Sequence, residues 1–185
     1  MVKMGLSPDA ISVASSFFAL LTLVFQYLYG HENIKSAIWG IIATIQLRLL
    51  ANMMDGMVAL EANKKSKLGE VYNDLPDRIS DVLVLIGFSF LLQKFAWGTE
   101  LCFGAAILAV MTAYIRVLGN TLAVKDLFLG PMAKQHRMAF ITGCCLVSLF
   151  WSDIFYPMII VLNVGMVVTC YRRTRKIAQV VGAKG

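Results

Sequence analysis

The chain has 185 residues, of which 58% are hydrophobic and only 15% charged, and its mean hydropathy is +0.72. An ordinary soluble domain is nearer 45–50% apolar, so a water-soluble globular protein is excluded and an integral membrane protein is indicated. The formal charge of +6 sits mostly in loops, where it reads as topology and contact with anionic lipid and not as nucleic-acid binding.

Six apolar runs follow one another, separated by short polar punctuation. Each is set against the roughly 20 helical residues that a hydrocarbon core requires. The first covers residues 11–29, and Ser7, Pro8 and Asp9 before it form a helix-start signal of N-cap, first helical position and acidic first turn. It is too long for the apolar core of a signal peptide and shows no small-residue cleavage site, so it is expected to stay in the protein. The second run covers 34–60, the third 68–95, the fourth 101–124, the fifth 138–151 and the last 154–171. The fifth is the shortest. Basic residues cluster after the second run ("NKKSK"), after the fourth (Lys125, Lys134, Arg137) and after the sixth ("RRTRK"), while the opposite loops hold only Lys35 and Lys94. By the positive-inside rule both termini and these segments face the cytosol. The expected fold is all-α, with six transmembrane helices in one domain over residues 1–185.

Cys102, Cys144, Cys145 and Cys170 lie in or at the ends of apolar runs without Cys-x-x-Cys spacing and read as small packing residues. His31 and His136 fall on opposite sides of the membrane and cannot build a histidine-rich metal site. No internal repeat or low-complexity tract is present.

Between residues 51 and 81 the chain reads "ANMMDGMVALEANKKSKLGEVYNDLPDRISD", which holds six acidic residues. The second run descends to the cytosol and the third climbs away, so these carboxylates belong to a hairpin at the membrane boundary, where ionisable groups are costly and mark function by default. Asn52 and Asp55 are i,i+3 on one helix; Asn73, Asp77 and Asp81 recur every four residues on the next. Two faces of oxygen donors pointing at one another are what a hard cation such as Mg²⁺ needs when it must also hold phosphates. Gly56, Ala59 and Gly69 would let a nucleotide pyrophosphate approach the backbone. The plainer alternative is an ion-pair network, with Asp74 to Arg78 and Arg78 to Asp81 at helical spacing and Arg48 neutralising another carboxylate. Pro76 is expected to bend the third helix.

The segment resembles the signature of the CDP-alcohol phosphatidyltransferases, D-x2-D-G-x2-A-R-x8-G-x3-D-x3-D. In register it falls on Asn52, Asp55, Gly56, Ala59, Leu60, Gly69, Asn73 and Asp77. The spacing holds throughout, while Asn52 and Asn73 stand where the family has aspartate and Leu60 where it has arginine. The hairpin is similar to a bacterial branch of the family with asparagine at those two positions, and the six spans with "LSPDAIS" before the first resemble the family's whole catalytic domain.

The resemblance implies a membrane enzyme that moves a phosphatidyl or related phospho-alcohol group from a CDP-linked donor to an alcohol acceptor, releasing CMP. Asp77 would be the base that activates the acceptor. Asn52, Asp55, Asn73 and Asp77 would hold two divalent ions, Mg²⁺ or Mn²⁺. Asn52, Gly56, Ala59, Ser66 and Gly69 would contact the donor, and Arg116, Lys134 and Arg137 would bind a phosphate on acceptor or donor. A homodimer in the cell inner membrane, with its site facing the cytosol, is also implied. Two amides in place of carboxylates weaken the cation's electrostatic hold, and lysines near residue 64 lack the fork of the missing arginine. Two rival readings follow: a member that has lost chemistry and serves as a binding or regulatory protein, and a small transporter using Asp77 and Asp81 as an ion path.

Overall fold

A computed structural model describes residues 8–61, 69–124 and 127–183. Among them all regular structure is helical: α1 (Pro8–Gly30), α2 (Ala37–Glu61), α3 (Gly69–Gly87), the single turn α4 (Ser89–Leu92), α5 (Gly98–Thr121), α6 (Lys134–Val147) and α7 (Phe155–Gly182), with a 3₁₀ turn at Ser152–Ile154 before the last. The chain divides into two compact units, one ending at Leu91 and the other beginning at Leu92.

In the first unit α1 packs against both α2 and α3. Large apolar side chains such as Phe17, Leu20, Val24, Trp39 and Leu47 point outward, while the interior mixes Ile38, Ile41, Ile45 and Leu85 with polar groups. This is the distribution expected where the solvent is lipid, because outward apolar residues cost nothing there and polar groups must be satisfied inside. The polar contacts run along the bundle. Thr22 Oγ1 meets Thr44 Oγ1 at 2.9 Å, Gln26 Nε2 donates to the Val84 carbonyl at 3.0 Å and Ser80 Oγ donates to Ser16 Oγ at 3.3 Å. In membrane interiors each such bond contributes about 0.6–2 kcal/mol. Gly87 allows the Gln26 approach, since a Cβ there would run into the Gln26 amide.

In the second unit α5 packs on α7. The buried stripe of α5 is made of small residues, Gly98, Cys102, Ala105, Ala106, Ala109 and Ala113, and Phe103, Ile107 and Tyr114 face out. Small residues permit the close approach on which helix association in lipid depends. Asn163 joins the two helices by donating to the Leu101 carbonyl at 3.0 Å. Lys94 and Asp153 pair at 2.5 Å, and Phe95 stacks on Tyr156.

Among the described residues, stretches of three helices, Ala37–Met54, Gly98–Thr121 and Ser152–Gly182, are long and apolar enough to cross a membrane, and Ala14–Gly30 is a shorter apolar helix. The 14 residues of α6 span about 21 Å, less than the ~30 Å hydrocarbon thickness.

Helix limits depart from the hydropathy reading at two places. The third run does not continue as one helix to residue 95: α3 ends at Gly87 and α4 follows as a separate turn. Phe88 and Leu92 are fully buried across the break, so hydropathy stays high while the backbone changes course. The last helix continues eleven residues past Tyr171, to Gly182. Arg173 and Ile177 continue the buried series Leu162, Met166, Thr169 at helical spacing, which a hydropathy window interrupted by "RRTRK" does not register. The four cysteines are free thiols, three of them buried, as packing residues should be.

Candidate functional site

The 51–81 stretch folds as the end of α2 and the start of α3. Helical spacing places Arg48 and Asn52 one turn apart on α2, and Asp77 and Asp81 one turn apart on α3. The two faces meet in two rungs. In the upper rung Asn52 Nδ2 donates to Asp77 Oδ1 at 2.9 Å, both side chains being half-buried. In the lower rung Arg48 Nη2 donates to Asp81 Oδ1 at 2.5 Å, with the two side chains 0% and 1% exposed. The same Arg48 nitrogen lies 3.4 Å from the Asp77 backbone carbonyl, which links the rungs.

The physical cost of the lower rung is high. Removing a guanidinium and a carboxylate from water costs several kcal/mol per ion, which attraction repays only with good geometry. Such a pair is a poor source of stability, and it joins α2 to α3 in the same register as the Asn52–Asp77 contact. Asp74 and Arg78 pair separately at 3.0 Å on the outer part of α3. The structure therefore gives Asp81 to Arg48, where the spacing alone also permitted Arg78. Pro76 lies within α3, and Ser16 of α1 donates to its carbonyl at 3.4 Å.

Of the other residues singled out, Asp55, Gly56 and Ala59 lie on the α2 backbone and Gly69 and Asn73 on that of α3; their side chains are outside the described residues. Ser66, Ser7 and the "NKKSK" segment are also outside them. Among the described residues no three His, Cys, Asp or Glu side chains converge.

The basic trio belongs to the second unit. Arg116 of α5 is half-buried, with its guanidinium over the Phe128 ring at 5.6 Å. Lys134 opens α6. Arg137 is fully buried, and its Nη1 lies 3.6 Å from Met166 Sδ. A fourth cation, Arg173, which the sequence reading assigned to a lipid-facing basic run, is instead buried: it donates from Nε to the Leu129 carbonyl at 3.0 Å and from Nη1 to the Thr112 carbonyl at 2.6 Å. Its signal was present in the sequence, because residue 173 falls on the buried face of α7.

The fold and site together define an all-α integral membrane protein with an amide–carboxylate face closed by a buried ion pair. The family model described as CDP-alcohol phosphatidyltransferase matches residues 6–172, and the chain belongs to that family. Among curated proteins it is 29% identical over 91 residues to the inner membrane protein YnbA of Escherichia coli (strain K12), a match covering 49% of this chain and 44% of YnbA. It is 28% identical over 173 residues to an uncharacterized protein of Aquifex aeolicus (strain VF5), covering 92% and 82%. The chain thus matches less than half the length of YnbA and most of the Aquifex protein.

Two crystal structures of phosphatidylinositol phosphate synthase (PgsA1) from Mycobacterium tuberculosis share the fold. The one with CDP-DAG bound has a TM-score of 0.79 at 18% identity, over 96% of this chain and 89% of that one. The one in complex with manganese and citrate has a TM-score of 0.79 at 19% identity, over 95% and 84%. At such identities the likeness establishes the fold alone.

Proposed function

We propose that this chain is a divalent-metal-dependent transferase of phospholipid biosynthesis, moving a phosphatidyl or related phospho-alcohol group from a CDP-linked donor to an alcohol acceptor. The observation that carries the reading is the Asn52–Asp77 contact across α2 and α3, in the register of the family's motif and at half-buried depth. Membership of the family supports the reaction class.

The donor set suits a hard cation. Asp77 supplies carboxylate oxygens, and Asn52 directs its N–H at Asp77, so its carbonyl oxygen is the atom left to face an ion or a phosphate-bound ligand. Asn52, Asp55, Asn73 and Asp77 would hold Mg²⁺ or Mn²⁺, with two ions by family resemblance. The bound ions supply charge neutralisation for the donor pyrophosphate.

The chain's own residues do the rest. Asp77, whose Oδ1 accepts from the Asn52 amide, would take the proton of the acceptor hydroxyl. The acceptor oxygen then forms a bond to the lipid-linked phosphorus while the bond to CMP breaks. Arg48 and Asp81 hold the two helices in register beneath that event. Gly56, Ala59, Ser66 and Gly69 would lie along the donor, and Arg116, Lys134 and Arg137 would bind an acceptor or donor phosphate. Arg116 is the most apt of the three, because its place within an apolar span asks for a functional reason.

The remaining features of the proposal come from loop charge and family resemblance: a single catalytic domain over residues 1–185, cytosolic termini and site, residence in the cell inner membrane, and a homodimer. The decisive experiment is CMP release by purified protein, screened over CDP-diacylglycerol and other CDP-linked donors against glycerol phosphate, inositol phosphate, serine and simpler alcohols with Mg²⁺ or Mn²⁺. CMP release that needs both acceptor and metal supports the reading. Donor binding without release under every pairing would favour the binding or regulatory alternative.

A further inference from the structure

The second unit contains a groove of about 750 Å³ between the C-terminal third of α7 and the segment at Leu129–Gly130, within the usual range for ligand pockets. Arg172, Arg175 and Lys176 line it together with Gln179, and among the described residues no carboxylate does. The chain has no acidic residue after Asp153.

The wall facing α7 is fixed in place. Arg173 is committed to the Leu129 carbonyl, the Met132 N–H donates to Thr169 Oγ1 at 3.2 Å, and Gly130 adopts φ +118° with no room for a Cβ against Thr169. The groove is thus preformed, which lowers the ordering cost of binding.

Two ordinary explanations of the basic residues fall short. Complementing the helix dipole needs cations in the last turn, but α7 runs on to Gly182 and its last turn has none. A bias of loop charge toward one side of the membrane accounts for the charge but not for its placement along a groove.

The surroundings indicate what fills it. Val161, Val164, Val167 and Tyr171 form an exposed apolar stripe along α7, at helical spacing that leads onto the groove at Val168 and Arg172. A free anion has no use for such a stripe, whereas acyl chains do, and an aromatic such as Tyr171 suits the level of the headgroups.

We propose that this groove is a binding site for an anionic phospholipid, its headgroup phosphate against Arg172, Arg175 and Lys176 and its acyl chains along the outer stripe of α7. The site shares no lining residue with the motif face on α2 and α3, and it stands whether or not the transferase reading holds.

The test uses the full chain in detergent with a chelator present, so that metal-dependent donor binding is silent. Phosphatidylglycerol, phosphatidylcholine or inorganic phosphate is titrated while thermal protection is followed. Phosphatidylglycerol should half-saturate at a concentration at least tenfold below phosphatidylcholine, and inorganic phosphate should give no protection at equal concentration. Arg172→Gln with Arg175→Gln should raise the phosphatidylglycerol half-saturation by about 30-fold, at roughly fivefold per cation. Gln179→Glu keeps all three cations and places a carboxylate in the groove; it should weaken phosphatidylglycerol severalfold and leave phosphatidylcholine alone. Equal binding of the two lipids would overturn the proposal. So would wild-type affinity in the Gln179→Glu variant, which decides the matter if the double variant does not fold, and protection by inorganic phosphate equal to that by the lipid would make this a free-anion site instead.

Discussion

Changing Asn52 to aspartate restores the residue found in the family's signature, and the structure says that this should make the protein depend on metal for its stability. In the present chain the Asn52 amide donates to Asp77 Oδ1 across 2.9 Å. An aspartate has no proton to donate there and would set two carboxylates face to face. At an effective dielectric near 20, like charges about 3 Å apart repel by about 5 kcal/mol, and rotation to about 5 Å leaves about 3 kcal/mol. For a chain of this length each kcal/mol moves the unfolding midpoint by about 2–4 °C, so the metal-free variant should melt on the order of 6–12 °C below the parent. A divalent cation between the two carboxylates reverses the sign of the interaction, so Mn²⁺ should raise the variant's midpoint by more than it raises the parent's and half-saturate at a lower concentration. The assay is thermal unfolding of detergent-purified protein in chelator and in a Mn²⁺ titration. An Asn52→Asp variant that melts with the parent in chelator would refute the Asn52–Asp77 contact as drawn.

Asp77→Asn should fold and bind CDP-lipid but lose at least about 10²-fold in turnover, measured as CMP release; unchanged release would remove Asp77 as the base. Asp55→Ala should abolish the metal dependence of CDP-lipid binding, because it removes one of the two carboxylates in the motif, and a metal titration like the parent's would show that Asp55 is no ligand. Breaking the buried pair by Arg48→Met or Asp81→Leu alone should cost about 3–5 kcal/mol, while the two together should recover most of it. Recovery of stability without recovery of turnover in that double variant, read from unfolding and CMP release side by side, is the expected signature of a pair that sets register.

The facing of Asn52 and Asp77 was legible because both lie in one short stretch and obey helical spacing. The motif register, the helical hairpin that carries it and the start of α1 at Pro8 needed only that spacing, a Pro at the first helical position and apolar run length. What was not legible is pairing between helices. Arg48 and Asp81 are 33 residues apart, and no local rule says whether Asp81 turns toward Arg48 or toward Arg78. Packing of α1 against both neighbours decides it. The break after Gly87 was hidden for a different reason: hydropathy measures solvent preference, and the residues on both sides of the break prefer the interior equally. Arg173 was misjudged by the same measure, which counts a charge as outward even where two backbone carbonyls receive it.

Asn52 stands one helical turn from Arg48 on α2. A carboxylate at position 52 would be i,i+4 from Arg48 and a competitor for the guanidinium that Asp81 holds. With an amide there, the lower rung keeps the Arg48–Asp81 pair, and the upper rung is closed by the Asn52–Asp77 hydrogen bond. The two rungs divide the work: the lower one ties α2 to α3, and the upper one orients the Asp77 carboxylate through the Asn52 amide. If Asp77 is the proposed base, its orientation is set before any ligand binds, and less of it has to be ordered on binding.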